Sequence, residues 1–286
     1  MKIGIDSYCF HRYFGETYPF QRPTERRWTV DDFLTFAQRM GVDGVSLESC
    51  FFPKLGTRVL KKVRARLDAL GFERVWAWGH PAGLEGGKSK RAANDLAKHF
   101  GYAQAIGAKT MRIVGGNRSH RDEPIPRVLR RLAARLKELV KVAEDHGVVM
   151  AYENHIDLRA DELLELLAVV DSPWLGVNLD TGNNIRLGED PADECRKLAP
   201  FTRATHVKDI GIELRGKCCA PKEFAFWPSV PLGTGLVDLP AVVNALRAAN
   251  YDGLYCIETD YLREDCPDEE TAVEQSVAYL RALAAA

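Results

Sequence analysis

Seven residues sit where apolar runs of the chain stop, and all seven are types that bind metals or move protons: Asp6, Glu48, His80, Glu153, Asp180, His206 and Glu258. Taken singly, each reads as a turn former or a helix cap; the segment GVNLDTGNN (176–184), for instance, leaves a strand through four turn-forming types. Their order is more informative. Glu153 to Asp180 spans 27 positions, Asp180 to His206 spans 26, and His206 to Glu258 spans 52. The first two intervals each match one strand-plus-helix unit, and the third matches one unit plus an inserted loop. If the runs are neighbouring parallel strands, two glutamates, an aspartate and a histidine meet at one opening. Three carboxylates in a water-poor place raise one another's pKa unless a cation offsets them. Oxygen-rich donors with a single imidazole suit Mn²⁺, Mg²⁺ or Co²⁺, with Zn²⁺ also accommodated. The expected ligands are therefore Glu153, Asp180, His206 and Glu258, and Glu153 and Glu258 are in addition the expected acid and base.

The elements that must position these residues follow a regular alternation. Eight strand-like runs are KIGIDS (2–7), GVDGVSLES (41–49), ERVWAWG (73–79), KTMRIVGG (109–116), GVVMAYEN (147–154), WLGVNLD (174–180), RATHVKD (203–209) and YDGLYCIETD (251–260). Stretches of helical period lie between them, among them 30–40, 58–70, 90–107, 126–147 and 239–251, with Gly71, Gly107 and Gly147 placed as C-terminal stops. Eight strands each followed by a helix predict an α/β fold, one (β/α)₈ TIM barrel domain over 1–286, in which the C-terminal strand ends share a face. An open doubly wound sheet is the alternative, but GIDSYCFHRYFG supplies no glycine-rich phosphate loop after the first strand. Two connections are long, 11–28 after strand one and 210–235 after strand seven. Their aromatics (Tyr13, Phe14, Tyr18, Phe20 and Trp28; Phe224, Phe226 and Trp227) are expected to close over a substrate or a partner surface.

Composition narrows the function classes. Lys and Arg number 39 against 40 Asp and Glu, a net charge of −1, which gives no field to attract nucleic acid. Seven scattered cysteines without a CxxC or zinc-ribbon spacing fit free thiols in a reducing compartment. MKIGIDSYCF has no basic region or cleavage site, and no apolar run is long enough to span a membrane, so a cytoplasmic protein is expected. His11, His99, His120 and His146 are read as structural.

YENH (152–155), NLDTGN (178–183), THVKD (205–209), PLGTGLVDLP (231–240) and IETD (257–260) together resemble the sugar phosphate isomerase/epimerase family, the xylose isomerase-like barrels. The resemblance implies a metal at Glu153, Asp180, His206 and Glu258, manganese above all, and a small carbohydrate substrate. The reaction it implies is isomerisation or epimerisation of a sugar, keto-sugar or polyol through abstraction of the α-proton and a metal-stabilised enediolate. Glu48, His80, His155 and Lys208 stand near the same rim as candidate substrate contacts. The chain departs from free-ketose epimerases of the family at Asn183, where they carry histidine, and at Ile212, where they carry arginine. Those departures keep open a metal-dependent lyase or deglycosidase acting on an oxidised (3-keto) glycoside with an aromatic aglycone. An apurinic-site endonuclease lacks enough histidine ligands here, and a non-catalytic sugar-binding barrel would not need both glutamates. The aromatic loops are also where a second copy or a small partner subunit would dock.

Overall fold

A computed structural model describes residues 1–18, 21–80, 82–214, 225–226, 228–266 and 268–285. The eight expected strands are present: β1 Lys2–Asp6, β2 Gly44–Glu48, β3 Glu73–Ala77, β4 Thr110–Ile113, β5 Val149–Glu153, β6 Leu175–Asp180, β7 Thr202–His206 and β8 Leu254–Ile257. They form one parallel sheet in the order β8-β1-β2-β3-β4-β5-β6-β7. The helices are α1 Val30–Met40, α2 Thr57–Leu70, α3 Lys90–Ile106, α4 Ile125–His146, α5 Ala160–Val170, α6 Pro191–Leu198, α7 Leu239–Ala248 and α8 Glu269–Ala285. Local chemistry sets their ends. Thr29 and Asp32 form a capping box at the start of α1, and Gly41, Gly71, Gly107 and Gly147 end α1 to α4 in the left-handed region. The chain is thus a (β/α)₈ TIM barrel.

Alternation along each strand splits the residues into two sets. Ile3, Ile5, Val45, Leu47, Trp76, Met111, Ile113, Met150, Tyr152, Val177, Leu179, Tyr255 and Ile257 point outward and join the buried layer beneath the helices. Each large side chain so buried contributes roughly 1.5–3 kcal/mol. The inward set begins with small residues, Gly4, Ser46, Ala151, Ala204 and Cys256. It ends, two positions later in each strand, with Asp6, Glu48, Glu153, His206 and Glu258. In these five strands the ionisable side chains therefore stand on a layer of small residues.

The cylinder closes between β7 and β8. Val207 bridges to Ile257, donating its N–H to the Cys256 carbonyl at 2.7 Å and accepting from the Glu258 N–H at 3.1 Å. One step earlier a side chain replaces the ladder: the Thr205 hydroxyl donates to the Leu254 carbonyl (2.7 Å) and accepts from the Cys256 N–H (3.1 Å).

The two long connections follow β1 and β7, as expected. In the first, Tyr13 and Trp28 pack on Phe10 and Phe14 stacks on Phe51 with ring centroids 4.4 Å apart. These three rings extend the core instead of closing a lid; Tyr18 alone of the described aromatics there reaches the barrel mouth. In the second, Asp209–Ile210 pairs antiparallel with Ser229–Val230 and Glu213–Leu214 with Ala225–Phe226. The returning segment is gathered by Asp209, whose carboxylate accepts the N–H groups of Gly233 (2.9 Å), Gly235 (2.8 Å) and Val237 (3.1 Å). The lid expectation for Phe20, Phe224 and Trp227 lies outside the described residues. Among those described, no helix is long and apolar enough to cross a membrane.

The seam gives the first prediction. Thr205→Val keeps the shape but orphans the buried Cys256 N–H, a loss of about 1–3 kcal/mol, while the Leu254 carbonyl keeps the Tyr251 hydroxyl at 2.9 Å. Urea unfolding is expected to show a loss of roughly 1–3 kcal/mol from that one group; a loss near zero would mean the hydroxyl does not seal the barrel.

Candidate active site and metal centre

The inward residues at the strand ends converge. Glu153, Asp180 and His206 end β5, β6 and β7, and each offers a donor atom within 4.8 Å of the other two. Glu258, just past β8, places Oε1 3.2 Å from His206 Nδ1, and Glu153 Oε2 is 3.7 Å from the same nitrogen. The opposite ring nitrogen, Nε2, faces Asp6 Oδ2 at 3.4 Å. Neither ring nitrogen makes a hydrogen bond, so the imidazole is held between Asp6 on one side and the two glutamates on the other by charge.

Asp180 resolves what its strand end is for. Its Oδ1 accepts from the N–H groups of Gly182 (2.8 Å) and Asn183 (2.9 Å), so one oxygen makes the turn. The other, Oδ2, makes no hydrogen bond, and neither do Glu258 Oε2 nor His206 Nδ1, all three buried. A Cβ at Gly182 would stand 2.6 Å from Ile210 Cγ1, so the close approach of the β6 and β7 loops requires glycine there. The backbone of Asp180 is held from β5: Asn154 Oδ1 accepts its N–H (2.8 Å) and Asn154 Nδ2 donates to its carbonyl (2.7 Å). Asn183, at the point of departure from the free-ketose epimerases, donates to Glu153 Oε1 at 3.1 Å.

Arg112 completes the ring, and the sequence reading passed over it. On β4, its Nε donates to Glu153 Oε2 and its Nη1 to Glu48 Oε1 at 3.3 Å. A lone arginine in the apolar run KTMRIV is the available signal, because a buried guanidinium must be paired. Lys208 is likewise buried. Its Nζ is 2.9 Å from Asp180 Oδ2, 2.7 Å from Glu258 Oε2 and 2.9 Å from Asp260 Oδ2.

Five buried acids (Asp6, Glu48, Glu153, Asp180 and Glu258) thus share the barrel end with two permanent buried cations, Arg112 and Lys208, and with His206. Burial pushes Glu258 up to about 8 despite the opposing pull of His206 and Lys208. Burial also raises Glu48, to about 7, with Arg112 pulling the other way. Glu153 feels the same burial, but Arg112 and His206 outweigh it and hold the carboxyl well below its usual range. Burial would lower His206, yet Glu258 and Glu153 raise it well above the usual imidazole value. The surplus of acid, the unbonded oxygens and nitrogen, and the donor types all fit a divalent cation at Glu153, Asp180, His206 and Glu258.

Above this cluster lies a cavity of about 630 Å³, within the range of sites that take small-molecule ligands. Glu48, Arg112, Glu153 and Glu258 reach it from strand ends, and Tyr8, Tyr18, His80, His155, Ile156 and Tyr261 from loops. Of the expected substrate contacts, Glu48, His80 and His155 line it, and Lys208 does not. His80 stacks on Trp78 with centroids 4.9 Å apart, and His155 Nδ1 meets the Gly116 carbonyl at 3.1 Å. Ile156, between His155 and the buried Asp157, has φ +54°. A β-branched residue in that region is strained, and such strain persists where surrounding structure imposes it.

Behind Asp180, the buried Glu194 Oε1 accepts from Asn154 Nδ2 (2.7 Å) and Asn184 Nδ2 (2.5 Å). Burial raises this carboxyl well above its usual value, and Glu189 and Asp180 add to the rise. A folded pKa above the unfolded one of about 4.3 gives stability that is full below that value and lost as pH rises through the folded pKa. Glu194→Gln keeps the acceptor oxygen and removes the titration. The variant is expected to gain on the parent between pH 4 and pH 8, by about 1.4 kcal/mol per pH unit traversed below the folded pKa. Equal stability differences at both pH values, measured by denaturant unfolding, would count against a protonated Glu194.

Comparison with known proteins agrees with this architecture. A family model described as xylose isomerase-like TIM barrel matches residues 34–283. An inosose dehydratase of Clostridium beijerinckii is 24% identical over 82% of this chain and 87% of its own length. An L-ribulose 3-epimerase structure superposes with a TM-score of 0.75 at 17% identity, covering 99% of this chain and 94% of that one. A xylose isomerase-like TIM barrel protein from Mycobacterium smegmatis, determined in complex with magnesium, superposes with a TM-score of 0.69 at 16% identity, covering 99% and 96%.

Proposed function

Because this chain belongs to the xylose isomerase-like TIM barrel family, we propose that it is a divalent-metal-dependent enzyme that rearranges a sugar, keto-sugar or related polyol by moving an α-proton. The observation that carries this reading is the convergence of Glu153, Asp180 and His206 within 4.8 Å, with unbonded donor atoms, under an open cavity. Glu153, Asp180, His206 and Glu258 would hold the metal, with Mn²⁺ the best match to three carboxylates and one imidazole and Mg²⁺, Co²⁺ or Zn²⁺ the alternatives. When bound, the cation supplies a Lewis acid that draws charge from a substrate carbonyl.

The chain's own groups do the rest. Glu153 and Glu258 come from strands on either side of β7 in the sheet, both reach the cavity, and two such carboxylates can take a proton from one face of a carbon and return one on the other. Return to the opposite face is epimerisation; return to the neighbouring carbon is isomerisation. Arg112 and Asn183 fix the Glu153 oxygens by hydrogen bonds. Glu48, His80 and His155 stand where substrate hydroxyls would meet them, and Lys208 lends positive charge from below.

A second reading has its own support. The cavity exceeds what one sugar ring fills, and Tyr8, Tyr18 and Tyr261 line it. The likeness to an inosose dehydratase adds weight to elimination. In that case the same α-proton abstraction is followed by loss of a β-leaving group, as water from a cyclic ketone or as an aglycone from a 3-keto glycoside.

The test begins with metal content after purification and after manganese loading. Solvent deuterium exchange into keto-sugars, inososes and 3-keto glycosides is then followed by NMR for the parent, Glu153→Gln and Glu258→Gln, each with its metal content measured. Exchange by the parent and a loss of about 10²–10⁴-fold in each variant is expected. Loss of water or release of an aglycone selects the elimination reading, and a parent that binds no divalent metal removes the proposal.

A further inference from the structure

Lys208 is the most buried lysine or arginine among the described residues, at 1% exposure. Its backbone has no freedom to shift. The Lys208 N–H donates to Thr181 Oγ1 at 2.8 Å, and that hydroxyl donates to the Lys208 carbonyl at 2.6 Å. Only the side chain is left to respond to what enters the site. Its ammonium donates one hydrogen bond, to Asp260 Oδ2 at 2.9 Å. Toward the cluster it stands 2.9 Å from Asp180 Oδ2 and 2.7 Å from Glu258 Oε2, yet at angles that leave both oxygens without a hydrogen bond. Asp260 in turn is steadied by Arg186, 3.8 Å away.

We propose that Lys208 is an internal counter-ion that holds the metal-free carboxylates together and competes with the divalent cation for Asp180 and Glu258, so that it sets the metal affinity of the barrel mouth. This inference rests on the metal-binding reading above. Without a metal, five buried acids would repel one another, and the ammonium between Asp180 and Glu258 removes much of that repulsion. With a metal, two cations face the same two residues in a buried place where solvent screens them weakly, so they oppose each other. Asp260 is the point of retreat. It already takes the one hydrogen bond the ammonium makes. The consequence is a site that keeps its shape when empty and releases its cation more readily than its four donors alone would.

The full-length protein, stripped by a chelator, is titrated with MnCl₂ by calorimetry and melted with and without manganese. Lys208→Met is expected to bind Mn²⁺ at least tenfold more tightly than the parent and to melt several degrees lower when metal-free. Asp260→Asn, which removes the retreat and leaves Lys208 over the ligands, is expected to bind at least threefold more weakly, and it serves alone if Lys208→Met does not fold. Unchanged or weaker binding by Lys208→Met, or unchanged or tighter binding by Asp260→Asn, overturns the counter-ion role while leaving the metal site intact. A parent that binds neither Mn²⁺ nor Co²⁺ nor Zn²⁺ removes the metal reading itself.

Discussion

The rest of the structure answers to one constraint: ionised side chains are buried inside a closed sheet, where each needs a partner of opposite charge or a hydrogen bond. Asp6, Glu48, Glu153, Asp180 and Glu258 come from five different strands and lie within one barrel end. Arg112 answers Glu48 and Glu153, Lys208 answers Asp180 and Glu258, and His206 stands between Asp6 and Glu258. After these pairings Asp6 Oδ2, Asp180 Oδ2, Glu258 Oε2 and both ring nitrogens of His206 still lack hydrogen bonds. These unmet groups are ionisable and stand beside one another at the barrel end that opens on the cavity, which is why they read as a binding site.

The loops around the ring divide the work of holding it. Asn154 grips the backbone of Asp180 from the neighbouring strand and is itself held by Glu194. Thr181 grips Lys208, and Asp209 gathers the returning end of the long connection after β7. These are polar side chains bonded to backbone, which fixes where a strand end points while leaving the ionisable tips free to face one another. The asymmetry between the two glutamates comes from the same neighbours. Arg112 and Asn183 bind Glu153 on both oxygens, whereas Glu258 has one oxygen toward His206 and one toward Lys208.

Much of this was legible from residue order. The eight strands emerged because their apolar runs are short, evenly spaced and followed by helical periodicity, and Gly71, Gly107 and Gly147 ended helices because only a left-handed residue without a Cβ does so at little cost. That Glu153, Asp180, His206 and Glu258 come together was legible because a strand end is a fixed place in a barrel. Arg112 was not, because its meaning depends on which carboxylates face it across the interior, and that is a tertiary fact. The aromatics of the first long connection misled for a similar reason. Tyr13, Phe14 and Trp28 have the same composition whether they cover a ligand or dock on Phe10 and Phe51, and here they dock.

The layer of small residues beneath the ring, Gly4, Ser46, Ala151, Ala204 and Cys256, bears on how such a protein can diversify. A Cβ at Gly4 would already stand 3.3 Å from Leu254 Cδ1 and 3.4 Å from Cys256 Sγ, so the foundation tolerates little variation there. The rim is different: Tyr8, Tyr18, His80 and Tyr261 touch the cavity without being members of the ring's charge pairs themselves. New substrate preferences therefore have an evolutionary route through the entrance alone, and a laboratory effort to redirect the enzyme should randomise those four positions and leave the foundation untouched.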